Sequence, residues 1–465
     1  MKKTINYILP VLLLLGSCKK YLDINQNPNA AEEPPINGLL ANTTYETANN
    51  VFNVSDRTSY YVQYLASPNA SSASDTYDAV NPNTAWDGIY NTLTDLYDLK
   101  KFAAAKGLNS YIGVANILLA FHLNLASNLW GDLPYSEAFV GVQNLTPKFD
   151  NQQAIFDTAI NLIDAGIAIL QSAPADELNT ASDFIHAGKA DAWIKTAHAL
   201  KARMLNQLSK TPDYNASNIL TEIAGAYTSY NDDAQVTSFQ VRNPWKSVAI
   251  ANAGLDLDGW LSSYFVNAAD GATYGVFDPR LPLITDKTKF GDYRGTDNGK
   301  GRIGSGTEHE ECYIDVDKWY SSDNSPLEII TDAECRFIEA EAQFRGGHKT
   351  EAYAAYMSGI EASLKKLAVA DTAYTRYTTS STVAVGADNI TLALILKEKY
   401  IACFLNPVTW DDMRRNDYAY KNFKLPANAV LSDFIRRIDY PTDETSRNGK
   451  NVPDVLLSDH LWWDK

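Results

Sequence analysis

A chain of 465 residues, 45% of them hydrophobic, can bury a large core, and 56 acidic against 40 basic side chains give it a formal charge of −16. A surface this acidic repels phosphate backbones and excludes nucleic acid as a partner. The four cysteines, Cys18, Cys312, Cys335 and Cys403, match neither a disulfide framework nor a zinc site.

Lys2 and Lys3 precede a short run, Ile5 to Leu15, that is apolar apart from Asn6 and Tyr7. This is the charged and apolar layout of a secretory signal, and it ends in Leu15-Gly16-Ser17-Cys18. A small pair followed by cysteine resembles the bacterial lipobox, so cleavage is expected before Cys18, whose thiol then carries a diacylglyceryl group. The run falls short of the roughly 20 apolar residues that span a bilayer, and no later segment is expected to span one. The sequence thus divides into a signal peptide at 1–17, a tether at 18–36 rich in Asn and Pro, and a body at 37–465. The mature chain has 38 basic and 56 acidic residues, a net −18. Its lipid moors it to a membrane without crossing it. Cys312, Cys335 and Cys403 are expected as buried thiols.

Amphipathic spacing predicts helices over 37–51 and 56–65, a polar loop over 66–84 with Tyr77 at its centre, and a helix over 85–106. Residues 108–129 are apolar on nearly every face, which places that helix inside the protein with His122 as a hydrogen-bonded core histidine. Gly131 and Pro134 end it. Two helix pairs follow, at about 151–210 and 329–368, with one-sided stripes such as Phe156, Ile163, Ile167 and Leu170, and Ala333, Phe337, Ala340 and Phe344. Their size and small crossing residues resemble tetratricopeptide units. Between the pairs, over about 235–325, periodicity fails, with a short strand expected at Ser238 to Val241. Another helix is expected from Ala387 to about Phe404. Trp130 and Trp193 lie on apolar stripes and are expected in the core, and Trp410 and Arg414 share a helix face.

Catalytic patterns fail one by one. His309-Glu310-Glu311-Cys312 lacks the second histidine of a zincin, Gly304-Ser305-Gly306 has the wrong spacing for a nucleophile elbow, and Gly299-Lys300-Gly301 is no phosphate loop. The polar run from Asp292 to Thr307 departs from calcium-loop spacing. Asp411 with Asp412, and Glu310 with Glu311, are adjacent acids that point apart on a helix. No enzyme, cofactor or metal is expected. The 27 tyrosines and nine tryptophans are amphipathic rings of the kind that suit the apolar faces and hydroxylated rims of sugars. The candidate ligand contacts are Tyr77 with Asn69 and Asp75 in the first long loop, and Trp245, Trp319 and Tyr320 in the irregular excursion.

Several motifs in order carry a resemblance: Cys18 followed by Leu22-Asp23-Ile24-Asn25 and Asn27-Pro28-Asn29, then Trp130 to Ala138, Thr331-Asp332-Ala333-Glu334 with Glu339-Ala340-Glu341-Ala342, Trp410, Arg414-Arg415, and Arg437-Ile438-Asp439-Tyr440-Pro441. The chain resembles the SusD/RagB family of outer-membrane nutrient-binding lipoproteins. The resemblance implies a mostly α, SusD-like fold of tetratricopeptide-like helix pairs with an irregular, loop-rich ligand face. It also implies a SusC-like TonB-dependent barrel as partner, an oligosaccharide ligand, and a lipid-anchored place on the outer membrane facing the cell exterior. Peptides or another non-glycan nutrient are the alternative ligand on the same scaffold.

Overall fold

The computed structural model describes residues 34–174, 177–254, 259–305 and 308–465; Cys18, the signal run and most of the tether lie outside the described residues. Helix α1 (Ile36–Tyr61) is continuous where the sequence suggests two helices. Its polar middle is satisfied by neighbours instead of breaking the helix: the Asn50 amide donates to Gly88 O (3.2 Å) and Thr92 Oγ1 (2.9 Å), and Ser55 Oγ donates to Leu405 O (2.5 Å). Strand β1 (Leu65–Ala66) opens the long loop, which ends at α2 (Asn83–Lys106).

Helix α3 (Asn109–Trp130) packs between α2 and α4 (Gln152–Ser172) and is buried on almost every side, which is why its sequence shows no polar face. Both α3 and α4 are long and apolar enough to cross a membrane, which corrects the expectation that nothing beyond residue 17 is. Here that apolarity serves packing: α4 lays Ile155, Phe156, Ala159, Ile163, Ile167 and Leu170 against its neighbours. Each large side chain so buried contributes about 1.5–3 kcal/mol. His122 on α3 sits in the core as expected, with Nδ1 2.8 Å from Leu118 O and Nε2 3.3 Å from the Asn50 amide. Burial holds its pKa down to about 4, so the ring stays neutral.

Helices α5 (Ala190–Gln207) and α6 (Ala216–Gly225) continue the row, each packed on the one before. Strand β2 (Ala234–Val236) lies ahead of the expected Ser238–Val241. Ala234 and Val236 turn into the core in alternation, whereas Val241 is exposed. Short elements punctuate the excursion: α7 (Pro244–Ala253), β3 (Trp260–Leu261) and α8 (Ser263–Ala269). Strand β4 (Leu327–Ile330) then leads into α9 (Asp332–Arg345), whose N-terminus is capped by Thr331 Oγ1 accepting from Glu334 N (3.2 Å). Helix α9 packs on α5, α6 and α10 (Lys349–Lys366). The tail adds α11 (Asp371–Thr378), α12 (Leu392–Ala402), α13 (Val408–Arg415) and α14 (Thr442–Arg447). The fold is mostly α, with fourteen helices among the described residues and only short strands.

Two antiparallel ribbons clip the excursion to this helical frame. β2 pairs with β4, and β1 pairs with β3 through Leu65 opposite Leu261. The second ribbon sets the 66–82 loop beside the excursion. Trp130, Trp193 and Trp410 are fully buried. The Arg414 guanidinium lies 3.7 Å from the centre of the Trp410 ring and 4.9 Å from that of Trp463, and it donates to Asn128 O (2.6 Å) and Arg436 O (2.8 Å). This motif therefore holds the tail to the end of α3. Cys312, Cys335 and Cys403 are buried free thiols.

Candidate functional site

Three straps meet where the first long loop faces the excursion. Asp75 is the knot. Its Oδ2 accepts from Gly299 N (2.5 Å) and its Oδ1 from the Asn298 amide, which also donates to Leu65 O (2.9 Å). Backbone bonds spread the join: Ser71 N to Gly299 O (3.0 Å), Arg302 N to Pro68 O (3.0 Å), Ala427 N to Asn298 O (2.9 Å) and Val430 N to Thr76 O (2.9 Å). Two glycines make the approach possible. Gly299 has φ +82°, and a Cβ there would come 1.8 Å from Ala427 O; at Gly301, φ +74°, it would come 2.5 Å from Ala70 N. Asn422 and Asn428 take left-handed backbone in the third strap, a conformation that asparagine tolerates.

Beside the knot lies an open cleft of about 380 Å³, a volume within the about 300–1,000 Å³ range of small-molecule sites. Ser263, Tyr264 and Asn267 of α8 form one wall, and Asp297, Asn298 and Lys300 form the floor strap. The far lip carries Asn422, Lys424, Leu425 and Pro426. Gln63 ties the lip to α1, its amide donating to Lys424 O (2.6 Å). Asn267, Asn422, Lys300 and Lys424 are exposed. Asp297 pairs with Lys300 (2.8 Å) and accepts from Ser263 Oγ (2.5 Å), and these contacts hold its carboxyl below the usual range. The walls offer amides, a hydroxyl and ammonium groups around a small apolar patch.

The predicted contacts divide between two places. Asn69 is exposed on the first strap, and Asp75 is buried in the knot, where desolvation raises its pKa to about 6 against the pull of its donors. Tyr77 is fully buried, its ring edge-on to Tyr61 at 5.9 Å. Trp245 packs edge-on against Phe52 at 4.8 Å, and Tyr320 against Phe404 at 5.2 Å. Both are buried around an interior crevice away from the cleft. Trp319 is half-buried, 4.6 Å from the Tyr320 ring, with Lys366 Nζ 5.7 Å from its own. Buried in this way, Tyr77, Trp245 and Tyr320 turn their faces to protein, because a tyrosine or tryptophan in a loop is as useful for anchoring that loop as for contacting a ligand. Sequence reasoning missed Asn267, Asp297, Lys300, Asn422 and Lys424. Isolated polar residues in irregular chain carry no periodic signal, and only the φ-permissive asparagines and glycines mark them.

The adjacent acids are spent on structure. Asp411 accepts from Arg414 (2.5 Å) and Asn128 (2.8 Å), and Asp412 from Arg415 (2.7 Å) and Lys399 (2.8 Å). Glu310 accepts from Ser305 N (2.5 Å) and pairs with Lys289 (2.7 Å), while Glu311 accepts from Ile303 N (3.2 Å). Among the described residues Asp297 is the one carboxylate lining the cleft, where glycoside hydrolysis ordinarily uses two. Among the described residues no group of three or more His, Cys, Asp or Glu side chains is placed to hold a metal ion.

A family profile, SusD-like and described as "Starch-binding associating with outer membrane", matches residues 28–441. No curated protein matches the chain. Among solved structures, a chitin-binding SusD homolog from Flavobacterium johnsoniae aligns with a TM-score of 0.77 at 19% identity, covering 92% of this chain and 98% of its own. A SusD/RagB family protein from Bacteroides thetaiotaomicron aligns at 0.72 and 22%, covering 93% and 99%. A SusD homolog from Parabacteroides distasonis aligns at 0.76 and 19%, covering 93% and 98%. At these identities the likeness to the solved structures is one of fold; with the family profile spanning nearly the whole sequence, the chain belongs to the SusD/RagB family.

Proposed function

We propose that this protein is a non-catalytic, lipid-tethered binder of oligosaccharides on the outer membrane that delivers them to a SusC-like TonB-dependent transporter. The observation that carries the reading is the cleft itself, where exposed amides of Asn267 and Asn422 stand beside the Leu425–Pro426 patch. Hydroxylated rims with apolar ring faces are complementary to such a surface. The family description and the chitin-binding relative support a glycan as ligand. Cys18 is the lipidation site in this reading, Asn69 lies on the first strap at the edge of the ligand face, and the helix pairs form the side presented to the transporter.

The test is titration calorimetry of the mature chain against a panel of neutral and anionic oligosaccharides, alongside a reducing-sugar release assay. Each lost hydrogen bond costs about 1 kcal/mol, so Asn267→Ala with Asn422→Ala is expected to weaken binding about tenfold or more. Unchanged affinity in that variant removes the cleft as the site. Release of sugar at enzymatic turnover overturns the non-catalytic reading, and binding of a peptide pool with no glycan bound overturns the ligand class.

A further inference from the structure

Although the whole chain carries a formal charge of −16, this cleft is locally basic. Lys300 and Lys424 line it against one carboxylate, Asp297, which is already paired with Lys300. Lys424 makes no ion pair among the described residues. Lys421, on the same lip, donates to Thr273 O (2.8 Å) and lies over the Tyr274 ring at 5.4 Å, so its charge is also uncompensated by an acid there. Asp270, in the turn that holds Thr273, accepts from Ala272 N (2.8 Å) and adds a second acid at this rim. Three ammonium groups against the carboxylates of Asp297 and Asp270 still leave a net positive mouth on an otherwise acidic body. A neutral sugar gains little from such a field, whereas an anionic one is drawn in by it. No broad ring face is open in the cleft, since Tyr264 is only 8% exposed. Charge-assisted hydrogen bonds therefore have to supply what stacking does not.

We infer that the cleft selects an anionic oligosaccharide, one bearing carboxylate or sulfate groups, with Lys424 as the principal anion contact and Lys300 and Lys421 as flanking charges. The inference rests on the oligosaccharide-binding reading above. Amides of Asn267 and Asn422 would serve the hydroxyls, and the ammonium groups the charge.

Calorimetry with oligogalacturonides, with carrageenan oligosaccharides that carry sulfate and no uronate, and with neutral malto- and chito-oligosaccharides tests it. At least one anionic set is expected to bind more tightly than both neutral sets, and to weaken as sodium chloride is raised past the about 10 Å screening regime of 0.1 M salt. Lys424→Gln is expected to lower the anionic affinity about threefold to fivefold, in line with a partly exposed ion pair. Adding Lys300→Gln, which leaves Asp297 unpaired, lowers it further, and Lys424→Arg retains binding. The two anionic arms decide between carboxylate and sulfate. Neutral sugars that bind as tightly as both anionic sets, or an anionic affinity indifferent to salt and to Lys424→Gln, overturn the inference while leaving the glycan reading in place. A chain that binds no sugar of any class overturns both.

Discussion

Asp75 is a carboxylate kept almost dry, 1% exposed, with its charge answered by hydrogen-bond donors and no cation. Burial raises its pKa from 3.8 to about 6, and the bonds from Gly299 and Asn298 recover only part of that cost. A carboxyl whose folded pKa is raised favours the protonated native state. Its contribution to stability is full below the unfolded value and is lost as pH climbs through about 6. The loss is on the order of 3 kcal/mol across that window. Asp75→Asn is expected to flatten the slope of unfolding free energy between these values, as followed by urea denaturation at a series of pH values; an unchanged slope would assign the pH dependence to other groups. Tyr77 and Trp245 carry the same side chains whether they grip a ligand or a neighbouring helix, and only their position against Tyr61 and Phe52 decides the matter.

At the scale of elements, the cleft depends on straps that touch backbone to backbone. Gly299 has no room for a Cβ, which would sit 1.8 Å from Ala427 O, and its φ of +82° disfavours any L side chain. Gly299→Ala is expected to destabilise by more than about 2 kcal/mol and to part the 297–302 strap from the 422–428 strap. Hydrogen exchange should then quicken at Ser71 and Ala427, whose N–H groups close the join; protection equal to wild type would show the straps to be independent. Most of the helices behind the straps are legible from a 3.6-residue apolar stripe, and α3 from being apolar on nearly every face. Sequence spacing divides α1 in two because the only cue at its polar middle is composition. The partners that satisfy that middle, Gly88, Thr92 and Leu405, lie far along the chain.

Across the whole molecule, buried ion pairs tie the helical row to the tail. Glu341 on α9 receives both Arg415 nitrogens from α13 at 2.5 Å, Arg345 at 2.8 Å and the Asn206 amide of α5 at 3.0 Å. Arg203 of α5 meanwhile grips Glu334 at the start of α9 (2.5 Å). Burial pushes the Glu341 carboxyl up, but Arg415 and the other donors more than reverse this and hold it well below the usual range. Such a depressed group stabilises above the ordinary glutamate pKa, and the contribution fades as pH falls toward the folded value. Glu341→Ala strands the Arg415 charge in the interior and is expected to cost about 3–5 kcal/mol, read as a lowered denaturation midpoint at neutral pH. A loss under about 1 kcal/mol would mean that Asp412 alone suffices for Arg415.

The mostly α class, the burial of Trp130, Trp193 and Trp410 and the family are legible in the chain, because hydrophobic period and motif order are local properties. The tertiary structure alone decided that Asp75 is a knot, that Trp245 and Tyr320 face inward, and that Lys300 and Lys424 share one cleft. Lys300 and Lys424 stand more than a hundred positions apart, and what brings them together is strap-to-strap hydrogen bonding with no periodic trace in the sequence.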